Sequence, residues 1–238
     1  MGNTAIILAG GVSRRMDHSI PKQFMILGDK PVIVHTINNF ERNKEIESVL
    51  VVCVDQWKDH MESLAREYKL NKVKWVITGG DTVHDSTRNG LYHLDGKIAE
   101  DDFVVIHDAA RPILPQNAIY NMMEVAYEQG NASLAIPCHE TILMTDDKKS
   151  GVEQLSRDRV MRIQTPQAYR YGVLKELYKR ADNDNIHDTV YADLLLVHYG
   201  ERVYFSPGFT NNIKITRKED LALCESLMKF NEEQLYVS

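Results

Sequence analysis

The densest concentration of chemically useful residues is Leu8-Ala9-Gly10-Gly11-Val12-Ser13-Arg14-Arg15-Met16, followed by Pro21-Lys22-Gln23-Phe24. Small residues at the end of a strand let backbone N–H groups approach a phosphate chain with no Cβ in the way. Two arginines and a lysine close behind supply cations for oxyanions, the guanidinium as a fork and the ammonium as a point charge. The α-phosphorus of a triphosphate gathers charge as a nucleophile arrives, and cations set in place beforehand lower such a barrier. A turn with solvated basic residues would explain the glycines alone, but not the whole set. The loop lacks the GxxxxGK[ST] of a P-loop and the GxGxxG of a dinucleotide site. No acidic residue at a strand end about 20 positions on offers a partner for a ribose, so a dehydrogenase is the weaker reading.

Three further clusters carry polar groups in apolar settings. His107-Asp108-Ala109-Ala110-Arg111-Pro112 follows the apolar run 103–106. There Asp108 is suited to a hydroxyl or a cation and Arg111 to a phosphate; a plain loop-stabilising Asp–Arg pair explains both equally well. Gly79-Gly80-Asp81, running on to Ser86, is a second glycine loop that leads into a helix, where a base or phosphate can be held. A simple turn is the plainer account of it. Late in the chain come Arg157, Gln164-Thr165-Pro166-Gln167 and Asn212-Ile213-Lys214-Ile215-Thr216. Lys214 alternates with two isoleucines, so on a strand it faces away from them, toward solvent or toward an anion.

Positioning these residues requires a particular scaffold. Apolar or β-branched runs at 4–8, 48–54, 73–77 and 103–107 read as strands, and a further one begins at 134–137. Between them, helices are expected at 31–40, 56–68, 86–94 and 115–129. Alternation at this spacing implies βαβ units and an α/β fold with a mainly parallel, doubly wound sheet. Ligands of such sheets bind outside the carboxyl ends of the strands, where the clusters fall. The alternation falters at about 139–164, which reads as a hairpin-like β-arm projecting from the sheet. Helices near 172–180 and 189–199, strands around 203–205 and 213–216, and a helix at about 218–230 complete the chain. With no repeat or linker, residues 1–238 read as one domain with an arm.

Bulk properties exclude several classes. Of the 238 residues, 43% are hydrophobic and 26% charged, which argues against wholesale disorder. A formal net charge of −6 argues against non-specific nucleic-acid binding, though a basic pocket for a small anion remains open. No apolar stretch approaches the roughly 20 residues of a membrane helix, and no targeting segment is visible, so the expected location is cytoplasmic. Cys53, Cys138 and Cys224 are far apart, odd in number and set in apolar sequence, and are expected as buried free thiols.

The motifs LeuAlaGlyGly…ArgMet…ProLysGln, GlyGlyAsp…Ser, HisAspAlaAlaArgPro, GlnThrProGln and AsnIleLysIleThr occur in that order over about 4–223. The set resembles the 2-C-methyl-D-erythritol 4-phosphate cytidylyltransferases and their ribitol-5-phosphate cytidylyltransferase relatives. The resemblance implies a Rossmann-like nucleotidyltransferase fold, a homodimer joined through the arm, and Mg²⁺ bound mainly through the CTP phosphates, with no dedicated protein metal site. It assigns Leu8, Ala9, Gly10, Gly11, Gly80, Asp81, Ser86 and Ala109 to CTP. Arg15 and Lys22 match transition-state stabilisers, while Arg157 and Lys214 match the pair that positions the attacking phosphate, Arg157 from the partner's arm. Asp108, Arg111, Thr141 and Thr189 match residues near the polyol phosphate.

Three positions depart from the pattern. Ser13 and Val83 stand where the family usually has Gly and Arg, and Thr189-Val190-Tyr191 lacks the acids of a ThrAspAsp segment. The implied activity joins CMP to a polyol phosphate and releases pyrophosphate. The motifs place methylerythritol 4-phosphate first as acceptor and D-ribitol 5-phosphate second. A nucleotide sensor without turnover is the alternative of another class, disfavoured by the retained cationic set.

Overall fold

The computed structural model describes residues 2–11, 20–230 and 232–235. Arg15 and Ser13 therefore lie outside the described residues. Strand β1 (Thr4–Ala9) runs into the glycine pair; later the short ladder of β2 (Ile26–Leu27) and β3 (Lys30–Pro31) leads into α1 (Val32–Glu41). Pro31 sits just before that helix, where its missing N–H removes no intrahelical bond. There follow β4 (Ser48–Cys53), α2 (Lys58–Glu67), β5 (Val73–Thr78), α3 (Val83–His93), β6 (Phe103–Asp108) and α4 (Gln116–Gln129). Next come β7 (Asn131–Pro137), the pair β8 (Ile142–Met144) and β9 (Glu153–Leu155), and β10 (Met161–Arg170). The chain then passes through α5 (Tyr171–Asn183), α6 (Ala192–His198), β11 (Phe205–Pro207), α7 (Lys218–Leu227) and α8 (Glu232–Leu235).

Seven strands form one sheet in the order β11-β7-β10-β6-β1-β4-β5. Four of its six pairings are parallel, and β10 supplies the two antiparallel ones, against β6 and β7. The mainly parallel α/β class read from the sequence is what the fold shows. Alternate side chains explain why the central strands read as continuous apolar runs. Ala5, Ile7 and Ala9 of β1 pack into one core with residues of α1, α2 and α4, while Ile6 enters a second core with α3, α5 and α6. A strand covered on both faces has no polar side to show. Complete burial of each Val, Leu or Ile contributes about 1.5–3 kcal/mol, so the two layers fix where each strand ends.

Several element limits differ from the sequence reading. Helix α3 begins at Val83, not at 86, because Thr82 and Asp85 form a capping box: Thr82 Oγ1 accepts from the Asp85 N–H at 3.0 Å, and Asp85 Oδ2 accepts from the Thr82 N–H at 3.3 Å. Strand β10 was not anticipated, since Pro166 inside a run argues against a strand; a register shift between Gln164 and Gln167 accommodates it. Met161 of β10 pairs with Pro137 of β7, so residues 161–164 of the expected arm lie in the sheet. The arm itself is the antiparallel β8–β9 hairpin. No strand forms at 213–216, where the Ile215 N–H donates to the Ala110 carbonyl and Lys214 turns toward β6. The second helix of the C-terminal half starts at Ala192, not at 189, and the strand expected at 203–205 forms later, as β11 at Phe205–Pro207. All three cysteines are buried and free.

Candidate active site

A pocket of about 300 Å³ opens outside the carboxyl ends of β1, β5 and β6, lined by Leu8, Gly10, Gly11, Lys22, Gln23, Gly80, Asp81, Thr82, Val83, Ser86, Asp108, Ala109, Ala110 and Lys214. This is where the fold rule places a ligand. Residues assigned separately to CTP and to the attacking phosphate thus share one cavity. Ala9 is buried just behind it.

The nucleotide side is shaped by backbone. Gln23, buried behind Lys22, donates from Nε2 to the carbonyls of Ala9 at 2.6 Å and Gly11 at 3.1 Å, fastening both ends of the glycine pair. The sequence signal for Gln23 is slight, a polar residue between Lys22 and Phe24 in the ProLysGln motif. Ser86 Oγ accepts from the Gly80 N–H at 3.1 Å, so the second glycine loop folds back over the start of α3. At Gly80 a Cβ would meet that of Asp85 at 2.2 Å, which is why no side chain fits there. Helix α3 presents its N-terminal end, Thr82 and Val83, to the cavity, the favourable pole of the helix dipole for an anion.

The opposite side centres on Asp108. Its Oδ1 accepts from Lys214 Nζ at 2.8 Å and its Oδ2 from Arg111 Nε at 3.0 Å, while its N–H donates to Thr165 Oγ1 at 3.2 Å. Burial alone would raise this carboxyl, but the Lys214 and Arg111 charges outweigh it and hold Asp108 well below the usual carboxylate range. Arg111 is itself buried and donates to the Asn212 carbonyl at 2.7 Å. It does not line the pocket; it braces Asp108 and the 212–214 segment. Asn212 donates to the Thr165 carbonyl at 2.8 Å, which joins the GlnThrProGln and AsnIleLys motifs in one bonded cluster. Two cations against one carboxylate leave the cluster a net positive charge, suited to an anionic substrate.

The remaining sequence-predicted residues lie elsewhere. Thr141 and Arg157 are exposed on the arm and line no part of this pocket within the protomer. Thr189 is half-buried beside the Thr82–Val83 rim, its Oγ1 2.7 Å from His84 Nδ1. Val83, at the position where Arg was expected, is 41% exposed and adds only apolar surface. Arg88, one turn further on, does not substitute for it, because it pairs with Asp85 at 3.1 Å and Asp182 at 2.9 Å. Among the described residues the carboxylates at the pocket are Asp81 and Asp108, and both of Asp108's oxygens are engaged by cations. That donor set fits a hard divalent ion held chiefly by substrate phosphates and water, with Asp81 as the protein oxygen at hand.

A glycine pair after the first strand and a cationic cluster at the end of β6 share one pocket on this strand order, the arrangement expected of a nucleotidyltransferase. The chain belongs to the IspD family, 2-C-methyl-D-erythritol 4-phosphate cytidylyltransferase, whose profile matches residues 3–230. The ribitol-5-phosphate cytidylyltransferase of Lacticaseibacillus paracasei is 40% identical over 96% of this chain and 99% of its own. The 2-C-methyl-D-erythritol 4-phosphate cytidylyltransferase of Alkaliphilus metalliredigens is 34% identical over 94% and 92%. Among solved structures, the Francisella tularensis 2-C-methyl-D-erythritol 4-phosphate cytidylyltransferase superposes with a TM-score of 0.81 at 27% identity, covering 95% of this chain and 99% of that one. The protein is accordingly an enzyme of the cytidylyltransferase class. Among the described residues no helix is long and apolar enough to cross a membrane.

Proposed function

We propose that this enzyme transfers CMP from CTP to D-ribitol 5-phosphate and releases pyrophosphate. The observation that carries the chemistry is the shared pocket, in which Lys22 and the glycine loops face the Asp108–Lys214 pair. The choice of acceptor rests on the 40% identity to a ribitol-5-phosphate cytidylyltransferase over nearly the full length of both chains. Methylerythritol 4-phosphate, which the motifs place first, is the second reading, supported by the family profile and the 34% relative. A sensor without turnover does not need Lys22 and Lys214 both directed at one cavity.

An oxygen of the polyol phosphate attacks the α-phosphorus of CTP in line. The bond from that phosphorus to the bridging oxygen breaks, and pyrophosphate leaves with the electron pair. A phosphate is nucleophilic enough near neutral pH that positioning and charge neutralisation suffice. Lys22, with Arg15, neutralises the crowded α-phosphate; Lys214 holds the attacking phosphate, and Asp108 orients Lys214. Asp81 is the residue placed to help hold a Mg²⁺ bound on the CTP phosphates, which would supply further charge neutralisation. The catalytic unit is a cytoplasmic homodimer in which Arg157 and Thr141 of one arm complete the partner's site. The exposed apolar residues Leu143, Met144 and Val152 of the arm support this reading.

The test is pyrophosphate release by purified protein with CTP and Mg²⁺, offering the two acceptors separately and ATP, GTP and UTP as controls. Turnover with CTP and D-ribitol 5-phosphate alone is the expected result. Preference for methylerythritol 4-phosphate would reverse the acceptor assignment, and CTP binding without turnover on either would favour the sensor.

A further inference from the structure

His84 is the residue after Val83 of the pocket lining, and its own side chain is entirely buried. Its Nδ1 is 2.7 Å from Thr189 Oγ1, whereas its buried Nε2 has no hydrogen-bond partner among the described residues. The ring lies against Tyr178, with centroids 4.8 Å apart. Thr189 belongs to the irregular stretch between α5 and α6, which is also reached by a long bond from Thr82 Oγ1 to the His187 carbonyl at 3.4 Å. Beyond it, Asp193 anchors α6, accepting from Ser133 Oγ and Gln167 Nε2 at 2.8 Å each. The stretch is therefore pinned on both sides of Thr189, and His84 sets its hydroxyl.

A neutral imidazole has one donor nitrogen and one acceptor nitrogen. A proton on Nε2 would strand a donor in the core, while a proton on Nδ1 leaves only an unused lone pair, the smaller penalty. Burial also lowers the ring's affinity for a second proton, so His84 stays neutral in neutral solution. With Nδ1–H donating, Thr189 Oγ1 is the acceptor of that bond, and its own hydroxyl hydrogen is free to point elsewhere. We propose that His84 is a positioning residue that holds Thr189 as a hydrogen-bond donor toward an anionic oxygen of the polyol phosphate. This inference rests on the acceptor reading of the pocket given above. It assigns part of acceptor recognition to a side chain that touches no substrate, on the same turn of α3 where Val83 offers no charge.

Variants and spectroscopy test it independently. A hydrogen bond to a charged group is worth roughly tenfold or more in affinity. His84→Ala should therefore raise the acceptor KM about tenfold and leave the KM for CTP in place. His84→Asn, whose amide can stand where Nδ1 stands, should restore most of the loss, and His84→Gln should not. In a Thr189→Val background, which removes the hydroxyl at nearly constant volume, His84→Ala should have no further effect. The ¹⁵N shifts of His84 in the free enzyme should report a proton on Nδ1. A proton on Nε2, an equal rise in the KM for CTP, or an undiminished effect of His84→Ala in the Thr189→Val background would each overturn the proposal. If neither acceptor turns over with the unaltered enzyme, the functional reading fails, while the ¹⁵N measurement still decides the tautomer.

Discussion

Lys22 and Lys214 meet the same cavity from different elements. Lys214 lies 2.8 Å from Asp108, so its charge is partly spoken for before substrate arrives. Lys22 stands above the glycine loop on the short turn Lys22–Phe24, seated by the buried Gln23 beside it. Lys22→Ala should cut kcat by on the order of 10²–10³, as for loss of a transition-state donor. A turnover number unchanged under saturating substrates would remove Lys22 from the chemistry. The strand end also sets an acid limit. His107 is fully buried, its Nε2 3.1 Å from the Arg111 carbonyl, and burial lowers its pKa to about 4. The unfolded chain takes up that proton near pH 6.5, so the contribution of neutral His107 is complete above pH 6.5 and is lost as pH falls toward 4. At about 1.4 kcal/mol per unit, the loss reaches roughly 3 kcal/mol. Urea denaturation at pH 7, 6 and 5 should show stability falling with pH, and NMR should find the imidazole of His107 still neutral at pH 5. An imidazole titrating near 6.5 would contradict this. Asp108 and Arg111, three apart after an apolar run, were legible in the sequence. Lys214 is 106 residues away, and its ion pair with Asp108 exists only once β6 and the 212–216 segment have docked.

At the scale of elements, the site depends on how α3 begins. Gly80 is crowded by Asp85, and Asp85 caps the helix through Thr82. Gly80→Ala should force these groups apart, cost about 1 kcal/mol for the cap alone, and weaken CTP binding because Ser86 and the Gly80 N–H separate. Thermal denaturation and CTP titration check the two effects; a variant with unaltered affinity would detach this loop from the nucleotide. The elements that the sequence disclosed are those whose signal is local. Strands β1, β4 and β6 are covered on both faces and so read as unbroken apolar runs. Strand β10 was hidden because Pro166 and the polar Gln164, Thr165 and Gln167 look like a loop. They are buried through long-range bonds, Gln164 to the Phe209 carbonyl at 3.0 Å and Gln167 to Asp193 at 2.8 Å. The strand expected at 213–216 failed for the converse reason: alternation of Ile213, Lys214 and Ile215 satisfies the period, but among the described residues one long-range backbone bond, to Ala110, stands in place of a ladder.

At the scale of the whole molecule, one protomer leaves two things unexplained. Leu143, Met144 and Val152 on the arm are 57%, 48% and 62% exposed, apolar surface that water disfavours. Arg157 and Thr141, which the resemblance assigns to the polyol phosphate, sit on that same arm and not in the pocket. In the proposed homodimer a two-fold pairing of arms would resolve both, by covering the apolar residues and bringing Arg157 to a site built by the other chain. Complementation distinguishes this arrangement from one in which Arg157 serves its own protomer. Lys22→Ala and Arg157→Ala are each expected to be nearly inactive as homodimers. In a mixed dimer, the Arg157→Ala chain keeps Lys22 in its pocket and receives Arg157 from its Lys22→Ala partner. That one pocket is intact, and the other lacks both groups. Random mixing puts half the chains in mixed dimers with one working site each, so turnover should recover to about a quarter of the unaltered enzyme's. No recovery after subunit exchange, with mixed dimers verified by mass, would place Arg157 in the service of its own chain. Adding Leu143→Asp to both variants should dissociate the dimers in light scattering and abolish the recovery, because the intact pocket then has no partner to supply its arginine.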